Sequence, residues 1–174
     1  MLFIFHIGSL LSILKSTLAA TGSSGPSVPT SSQNSNSATP PFKTLPLSQI
    51  FVVASHVSSG LSRLHFCTTP LIHRDLKVEN ILEEDGKFLI CDFGSATAKF
   101  WDPDIHGAQA VQDDLDKFTT LAYRAPEMTD LYSKRGPIGP KADIWALGVL
   151  LFKVSTAVFS TKLSTHFHVR FGHC

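Results

Sequence analysis

The sequence predicts an α+β fold, built mainly from helices with one small β-hairpin. Three observations support this fold class. Residues 47–66 carry apolar side chains at three- and four-residue spacing, which is typical of an amphipathic helix. Residues 81–91 place two short apolar runs on either side of a turn that contains Asp85-Gly86, a strong hairpin signal. Residues 141–154 are almost entirely apolar and indicate a second, buried helix.

The apolar N-terminal segment, residues 1–20, has three open interpretations. A secretory signal peptide is disfavoured because no Lys or Arg precedes the apolar run. A membrane span is disfavoured because small, polar and charged residues, including Lys15, interrupt the run. A short amphipathic helix from Ser9 to Leu18 fits the leucine spacing best.

Residues 21–46 are rich in Ser, Thr and Pro, and we predict that they form a disordered linker. Such a segment buries too little apolar surface to offset the entropy of ordering it. Charge density also changes along the chain, since Lys15 and Lys43 are the only formal charges before Arg63. This shift predicts a boundary in the organisation of the chain.

The overall composition excludes several classes of protein. With 174 residues the chain holds one domain at most, and its net charge of +1 provides no general attraction to nucleic acid or membrane. Its three cysteines show no C-x-x-C spacing, which argues against a zinc site and a disulfide framework. We therefore predict reduced cysteines in a cytosolic protein.

Residues 92–127 are predicted to be mostly loop, and a loop of this length inside a domain is usually functional. The loop contains an acidic run, Asp113, Asp114 and Asp116. We interpret this run as a solvated face, with a preference for basic substrates as the alternative.

Three short motifs occur in order along the chain. H-R-D-L-x-x-x-N covers His73–Asn80, D-F-G covers Asp92–Gly94 and A-P-E covers Ala125–Glu127. One motif alone is weak evidence, but three in order around a predicted hairpin are specific. Together they resemble the eukaryotic serine/threonine protein kinases. The resemblance implies a protein-kinase-like fold, mainly its helical C-terminal lobe, with ATP and Mg²⁺ as cofactors.

The resemblance also implies roles for individual side chains. Asp75 accepts the proton of the substrate hydroxyl, and Lys77 reaches the transferred phosphate, as in serine/threonine rather than tyrosine kinases. Asn80 and Asp92 supply the oxygen ligands that Mg²⁺ prefers. The expected catalytic residues are thus Asp75, Lys77 and Asn80. Lys77, Asn80, Asp92 and Leu82, part of the floor under adenine, bind the cofactors.

Supporting roles follow from the same resemblance. Arg74 is expected to pair with a phosphorylated residue of the 92–127 segment, and Asp143 to hold the backbone of the catalytic loop. Thr120 matches the threonine that contacts the catalytic aspartate. The candidate phosphorylated hydroxyls are those of Ser95, Thr97, Thr119 and Thr120.

A closer resemblance covers about residues 47–153. The strings IHRDLKVENIL, CDFGSAT, TTLAYRAPEM and KADIWALGVLLFK resemble the Numb-associated kinases, which include adaptor-associated kinase and BMP-2-inducible kinase. The family implies protein substrates of the clathrin adaptor machinery, a cytoplasmic location reaching endocytic membrane sites, contact with membrane only through endocytic partners, and no nucleic acid. On this view residues 1–20 hold a remnant of the helix after the kinase hinge, and residues 154–174 are a divergent tail.

The sequence contains no G-x-G-x-x-G loop and no V-A-I-K strand, so we expect the small N-terminal lobe to be missing. A chain of this kind is expected to be inactive, or nearly so, on its own. Two alternatives stay open. One is a non-catalytic, kinase-like binding module or truncated isoform. The other is a secreted or membrane-anchored protein with residues 1–20 as its signal.

Overall fold

The computed structural model describes residues 8–10, 12–13, 45–133 and 136–156. The predicted linker, apart from its last two residues, and the tail from residue 157 onward lie outside these ranges, so both remain predictions. The helices and strands, in chain order, are β1 (Gly8–Ser9), α1 (Leu47–His65), β2 (Ile81–Glu84), β3 (Lys87–Ile90), α2 (Pro103–His106), α3 (Ala108–Phe118), α4 (Pro126–Thr129) and α5 (Lys141–Thr156).

Helix α1 begins directly after Pro46 and confirms the helix predicted from residue 47. Val53, Val57 and Leu61 lie on its buried stripe, each with almost no exposed surface. Burial of an aliphatic side chain of this size stabilises the fold by about 1.5–3 kcal/mol. Leu47 and Phe51, which the apolar spacing also placed on the stripe, remain largely exposed.

The predicted hairpin is present as β2 and β3, which pair antiparallel from Ile81 opposite Ile90. Asp85 and Gly86 both adopt positive φ angles, as a tight two-residue hairpin turn requires. The short strand β1 adds to the other edge of β2, so the sheet order is β1-β2-β3. Ser9, the first residue of the predicted N-terminal helix, therefore lies in a strand, because its backbone pairs with Leu82.

The main core lies between α1, α5 and the hairpin. Helix α5 is predominantly apolar, as predicted, and Leu150 and Val154 have no exposed surface. Gly60 lets α1 approach β3 closely, because a Cβ there would lie 2.9 Å from the side chain of Ile90. This packing fixes both ends of the loop that joins α1 to β2. The described part of the chain contains no helix both long and apolar enough to cross a membrane.

The prediction that residues 92–127 are mostly loop is wrong for residues 103–118, which form α2 and α3. The sequence Asp102-Pro103 is a typical helix start. In the structure Asp102 accepts a hydrogen bond from Asp104 N, and Pro103 occupies the first helical position. Helix α3 forms because Val111 and Leu115, four residues apart, are both fully buried. They pack in a second core whose other buried members are Ala125, Met128, Leu131, Ile138 and Ala142.

Candidate active site

The catalytic loop, residues 71–80, is held from beneath by one carboxylate of α5. Asp143, 1% exposed, accepts hydrogen bonds from the backbone N–H groups of His73 and Arg74, each at 2.8 Å. His65 Nε2 lies 2.8 Å from the same carboxylate. Arg74 has a φ of 69°, a left-handed conformation that is costly for a residue with a side chain. The structure thus confirms the predicted role of Asp143.

The two other predicted catalytic residues, Lys77 and Asn80, both contact Asp75. Lys77 Nζ donates to Asp75 Oδ2 at 2.7 Å, and Asn80 Nδ2 donates to the Asp75 carbonyl oxygen at 2.9 Å. The Thr120 hydroxyl donates to Asp75 Oδ1 at 2.6 Å, and Lys77 Nζ also lies 3.2 Å from that hydroxyl oxygen. Asp75 therefore already accepts a hydrogen bond from an alcohol, the interaction that a substrate hydroxyl needs. The ammonium of Lys77 lies beside this carboxylate, where it can neutralise a transferred phosphate.

The hairpin brings the two predicted metal ligands to the same end of the sheet. Cys91 N donates to the Asn80 carbonyl oxygen at 2.9 Å, so Asp92 follows directly beside Asn80. The Asn80 amide nitrogen is used by Asp75, which leaves its oxygen as the ligand atom. Asp92 has a φ of 61°, and one of its carboxylate oxygens accepts from Gly94 N. This oxygen-donor pair fits Mg²⁺, which commonly takes one or two protein ligands together with phosphates and water.

The D-F-G segment packs against the catalytic loop. The rings of Phe93 and His73 meet edge to face with centroids 5.3 Å apart, and His73 Nε2 lies 3.1 Å from the Cys91 carbonyl oxygen. Burial, and then the charge of Asp92, raises the pKa of the Cys91 thiol. Leu82 is half-buried in the middle strand of the sheet, and its place under adenine stays a prediction.

Two of the three cysteines lie in the part of the chain that the structure describes. Cys67 and Cys91 are free thiols there. No group of three or more His, Cys, Asp or Glu side chains in those ranges is arranged to hold a metal ion. The donor set at Asn80 and Asp92 has only one carboxylate and one amide, so it does not meet that description.

Arg74 forms an ion pair with a carboxylate of α3. Its guanidinium contacts Asp114 of α3, donates to the Ser95 carbonyl oxygen at 2.7 Å, and lies 4.9 Å from the centre of the Phe118 ring. The interpretation of the acidic run as a solvated face is therefore wrong for Asp114, although Asp113 is exposed. The sequence did not reveal this ion pair because α3 was not predicted. Arg74 and Asp114 are also 40 positions apart in the chain.

Replacing Asp114 by asparagine is expected to lower the free energy of unfolding by about 2 kcal/mol, because the buried Arg74 guanidinium loses its counter-ion. Urea unfolding followed by tryptophan fluorescence measures the change. Asp113→Asn is the matched control, since Asp113 is exposed and contacts Gln109 of its own helix. It is expected to change stability by less than about 0.5 kcal/mol. Equal effects of the two substitutions would contradict the conclusion that Asp114 is the stabilising counter-ion of Arg74.

Tyr123 ties the chain after α3 to the catalytic loop. Its hydroxyl oxygen accepts a hydrogen bond from Val78 N at 3.3 Å, and Lys153 Nζ lies 4.0 Å from the centre of its ring. Burial raises the pKa of Tyr123 to about 12, so the phenol is neutral at physiological pH. Burial also lowers the pKa of Lys153. The segment that carries Thr120 is therefore fixed to the catalytic loop at a second point.

Comparison with known proteins identifies the family of this chain. A family model described as the protein kinase domain matches residues 33–170. The chain belongs to the protein kinase family. The match continues past residue 153, where the kinase-like segment was predicted to end.

Curated relatives of the chain carry kinase names. It is 45% identical over 117 residues to a probable serine/threonine-protein kinase of Dictyostelium discoideum, covering 66% of this chain and 14% of that protein. It is 42% identical over 109 residues to the serine/threonine-protein kinase sel-5 of Caenorhabditis elegans, covering 61% and 10%. It is 46% identical over 110 residues to the actin-regulating kinase PRK1 of Saccharomyces cerevisiae, covering 62% and 13%. The chain thus spans no more than about a seventh of the length of these relatives.

Proposed function

We propose that this chain supplies the catalytic and metal-binding loops of a serine/threonine kinase that transfers phosphate from Mg·ATP to protein hydroxyl groups. The observation that carries the proposal is the cluster at Asp75, with Lys77 and Thr120 on its carboxylate and Asn80 on its carbonyl oxygen. In this cluster Asp75 orients the acceptor hydroxyl and takes its proton. Asn80 and Asp92 would hold Mg²⁺, which would supply positive charge to neutralise the phosphates.

The choice of serine and threonine over tyrosine rests on two supports. Lys77 lies two positions after Asp75 and donates a hydrogen bond to it at 2.7 Å, and a lysine at this position resembles the serine/threonine class. The Dictyostelium and Caenorhabditis relatives are also named as serine/threonine kinases.

We place this activity in clathrin-mediated endocytosis, with a clathrin adaptor subunit as the protein substrate. Support comes from the resemblance to the Numb-associated kinases and from the yeast relative named as an actin-regulating kinase. The corresponding location is the cytoplasm, including endocytic membrane sites reached through protein partners. Nucleic acid has no part in this proposal, consistent with the net charge of +1.

The test uses the native protein, captured with an antibody raised against residues 92–127, and begins with its intact mass. The captured protein is incubated with Mg·ATP labelled in the γ-phosphate and with purified clathrin adaptor complex, with casein as a second substrate. Label is expected on serine or threonine by phosphoamino-acid analysis, and EDTA is expected to prevent it. Label on tyrosine alone, or none, would overturn the proposed function.

The 174-residue chain, assayed in parallel, is expected to transfer little or no phosphate, because its sequence carries no glycine-rich loop to cover the phosphates. Robust transfer by this chain would contradict that expectation. If native protein and chain are both inactive, and the chain unfolds cooperatively, the kinase-like binding module becomes the better description. Strong binding of a hydrophobic dye without a cooperative transition would count against that alternative.

A further inference from the structure

Residues 119–124, a loop within the connection between α3 and α4, are attached to the catalytic loop at two points. Thr120 donates to Asp75 near its beginning, and Tyr123 accepts from Val78 near its end. The 2.6 Å distance between the Thr120 hydroxyl and the Asp75 carboxylate depends on the position of the backbone at Thr120. The support of this loop from its other side therefore affects the geometry at Asp75.

That support comes from Arg124, the last residue of the loop, whose side chain is 7% exposed. Arg124 Nε donates to Thr119 Oγ1 at 2.7 Å, and Nη2 donates to the Leu115 carbonyl oxygen at 2.9 Å. Leu115 O is one of the last carbonyl oxygens of α3, at the negative end of the helix dipole. This oxygen also accepts from Thr119 N at 3.0 Å and from the Thr119 hydroxyl at 2.6 Å, so the arginine adds a further donor at the end of the helix. Through Nε it also holds the residue directly before Thr120.

The two contacts to Thr119 Oγ1 and Leu115 O require a guanidinium group at position 124. Its planar fork presents donors in fixed directions, so one side chain reaches a hydroxyl oxygen and a carbonyl oxygen at once. A lysine carries the same charge on a single flexible nitrogen and loses this arrangement. Charge alone is thus a poor substitute at position 124.

Asp116 adds a third contact, since its Oδ1 accepts from Arg124 Nη2 at 2.9 Å. The carboxylate is 59% exposed, so water screens the pair and its contribution to stability is small. Hydrogen bonds from Gln112 and then from Arg124 lower the pKa of Asp116. The contacts to Leu115 and Thr119 are the ones that hold the loop.

We propose that Arg124 is a positioning residue, which caps the C-terminal turn of α3 and thereby keeps Thr120 in contact with Asp75. The effect on catalysis rests on the proposed kinase function, whereas the effect on the 119–124 loop does not. The hydrogen bonds of Arg124 go to Thr119, Leu115 and Asp116 and not to Asp75, so it acts through Thr119 and the backbone that follows.

The first arm of the experiment measures amide hydrogen exchange on the native protein and its variants. Arg124→Gln is expected to speed exchange at Thr119 and Tyr123, whose N–H groups donate to Leu115 O and Thr120 O, by about tenfold or more. Exchange in α5 is expected to stay within about twofold. Arg124→Lys is expected to resemble Arg124→Gln, whereas Asp116→Asn and the exposed control Asp113→Asn leave the loop nearly unchanged.

The second arm measures phosphoryl transfer by the same variants. Arg124→Gln is expected to lower kcat by about tenfold while KM for ATP stays within about twofold, because the acceptor side alone is disturbed. In a Thr120→Ala background, Arg124→Gln is expected to have little further effect, since both changes act on the same contact. Full additivity of the two substitutions would overturn the route through Thr120.

The hydrogen-exchange measurement can be interpreted even if the native protein transfers no phosphate. Failure of this proposal can therefore be distinguished from failure of the proposed function. Unchanged exchange at Thr119 and Tyr123 in Arg124→Gln would overturn the proposal. So would uniform acceleration throughout α1 and α5, which marks a general loss of stability. Full rescue by Arg124→Lys, or an equal effect of Asp116→Asn, would show that charge and not capping holds the loop.

Discussion

Replacing Asp75 by asparagine is expected to lower the rate of phosphoryl transfer by a factor of about 10²–10⁴, the usual contribution of a general base. Asparagine has the same shape and keeps one oxygen to accept from Thr120 or Lys77, but it cannot take a proton from the acceptor hydroxyl. The loss should therefore appear in kcat, with KM for ATP nearly unchanged. Steady-state assays of the native protein and the variant measure both parameters.

Asp113→Asn is the matched control for Asp75→Asn, because it makes the same chemical change on the exposed face of α3. Its kcat is expected to equal that of the unaltered protein. The thermal midpoint of Asp113→Asn should stay close to that of the unaltered protein. Asp75→Asn also removes the charge that pairs with Lys77, so its thermal midpoint is measured to verify that the variant is folded in the assay. A kcat for Asp75→Asn within about threefold of the unaltered protein would remove Asp75 from the role of base.

The elements that the sequence predicts well are those whose cause is local. Helix α1 follows from apolar spacing, the hairpin from Asp85-Gly86 between two apolar runs, and α5 from an almost entirely apolar composition. In each, a few neighbouring residues decide both the element and the face it buries. The α+β fold class is confirmed because these three elements make up most of its core.

Elements and contacts that the sequence does not reveal depend on distant partners. Helix α3 buries only Val111 and Leu115 among polar neighbours, so its period is weak without the second core beneath it. Strand β1 has two residues and exists through its pairing with β2. Asp114 looks like part of a solvated acidic run until the fold brings Arg74 to it.

In the candidate site, too, some residues can be predicted from the sequence and others depend on distant partners. The motifs order Asp75, Asn80 and Asp92 along the chain, and the hairpin between them explains why two of these residues come close. Arg124 was not singled out from the sequence, because capping of α3 is visible only once that helix is known. Its signal in the sequence was a basic residue shortly after an amphipathic segment, which is common and unspecific.

Replacing Asp143 by alanine is expected to lower the free energy of unfolding by about 3–5 kcal/mol. The change leaves the buried N–H groups of His73 and Arg74 without acceptors, and His65 without its partner. Most proteins of this size are stable by only about 5–15 kcal/mol, so the loss is a large share of the total. Urea unfolding of the protein and the variant, followed by circular dichroism, measures the difference.

Asp143→Asn separates the hydrogen bonds from the charge, because its amide oxygen still accepts from one backbone N–H group. A smaller loss, about 1–2 kcal/mol, is expected for this variant. Asp113→Ala controls for the removal of a carboxylate at an exposed helical position and should change stability by less than about 0.5 kcal/mol. If Asp143→Ala costs no more than this control, the left-handed backbone of Arg74 has another source of support. The catalytic loop would then be held by its contacts to Thr120 and Tyr123 and not from beneath by α5.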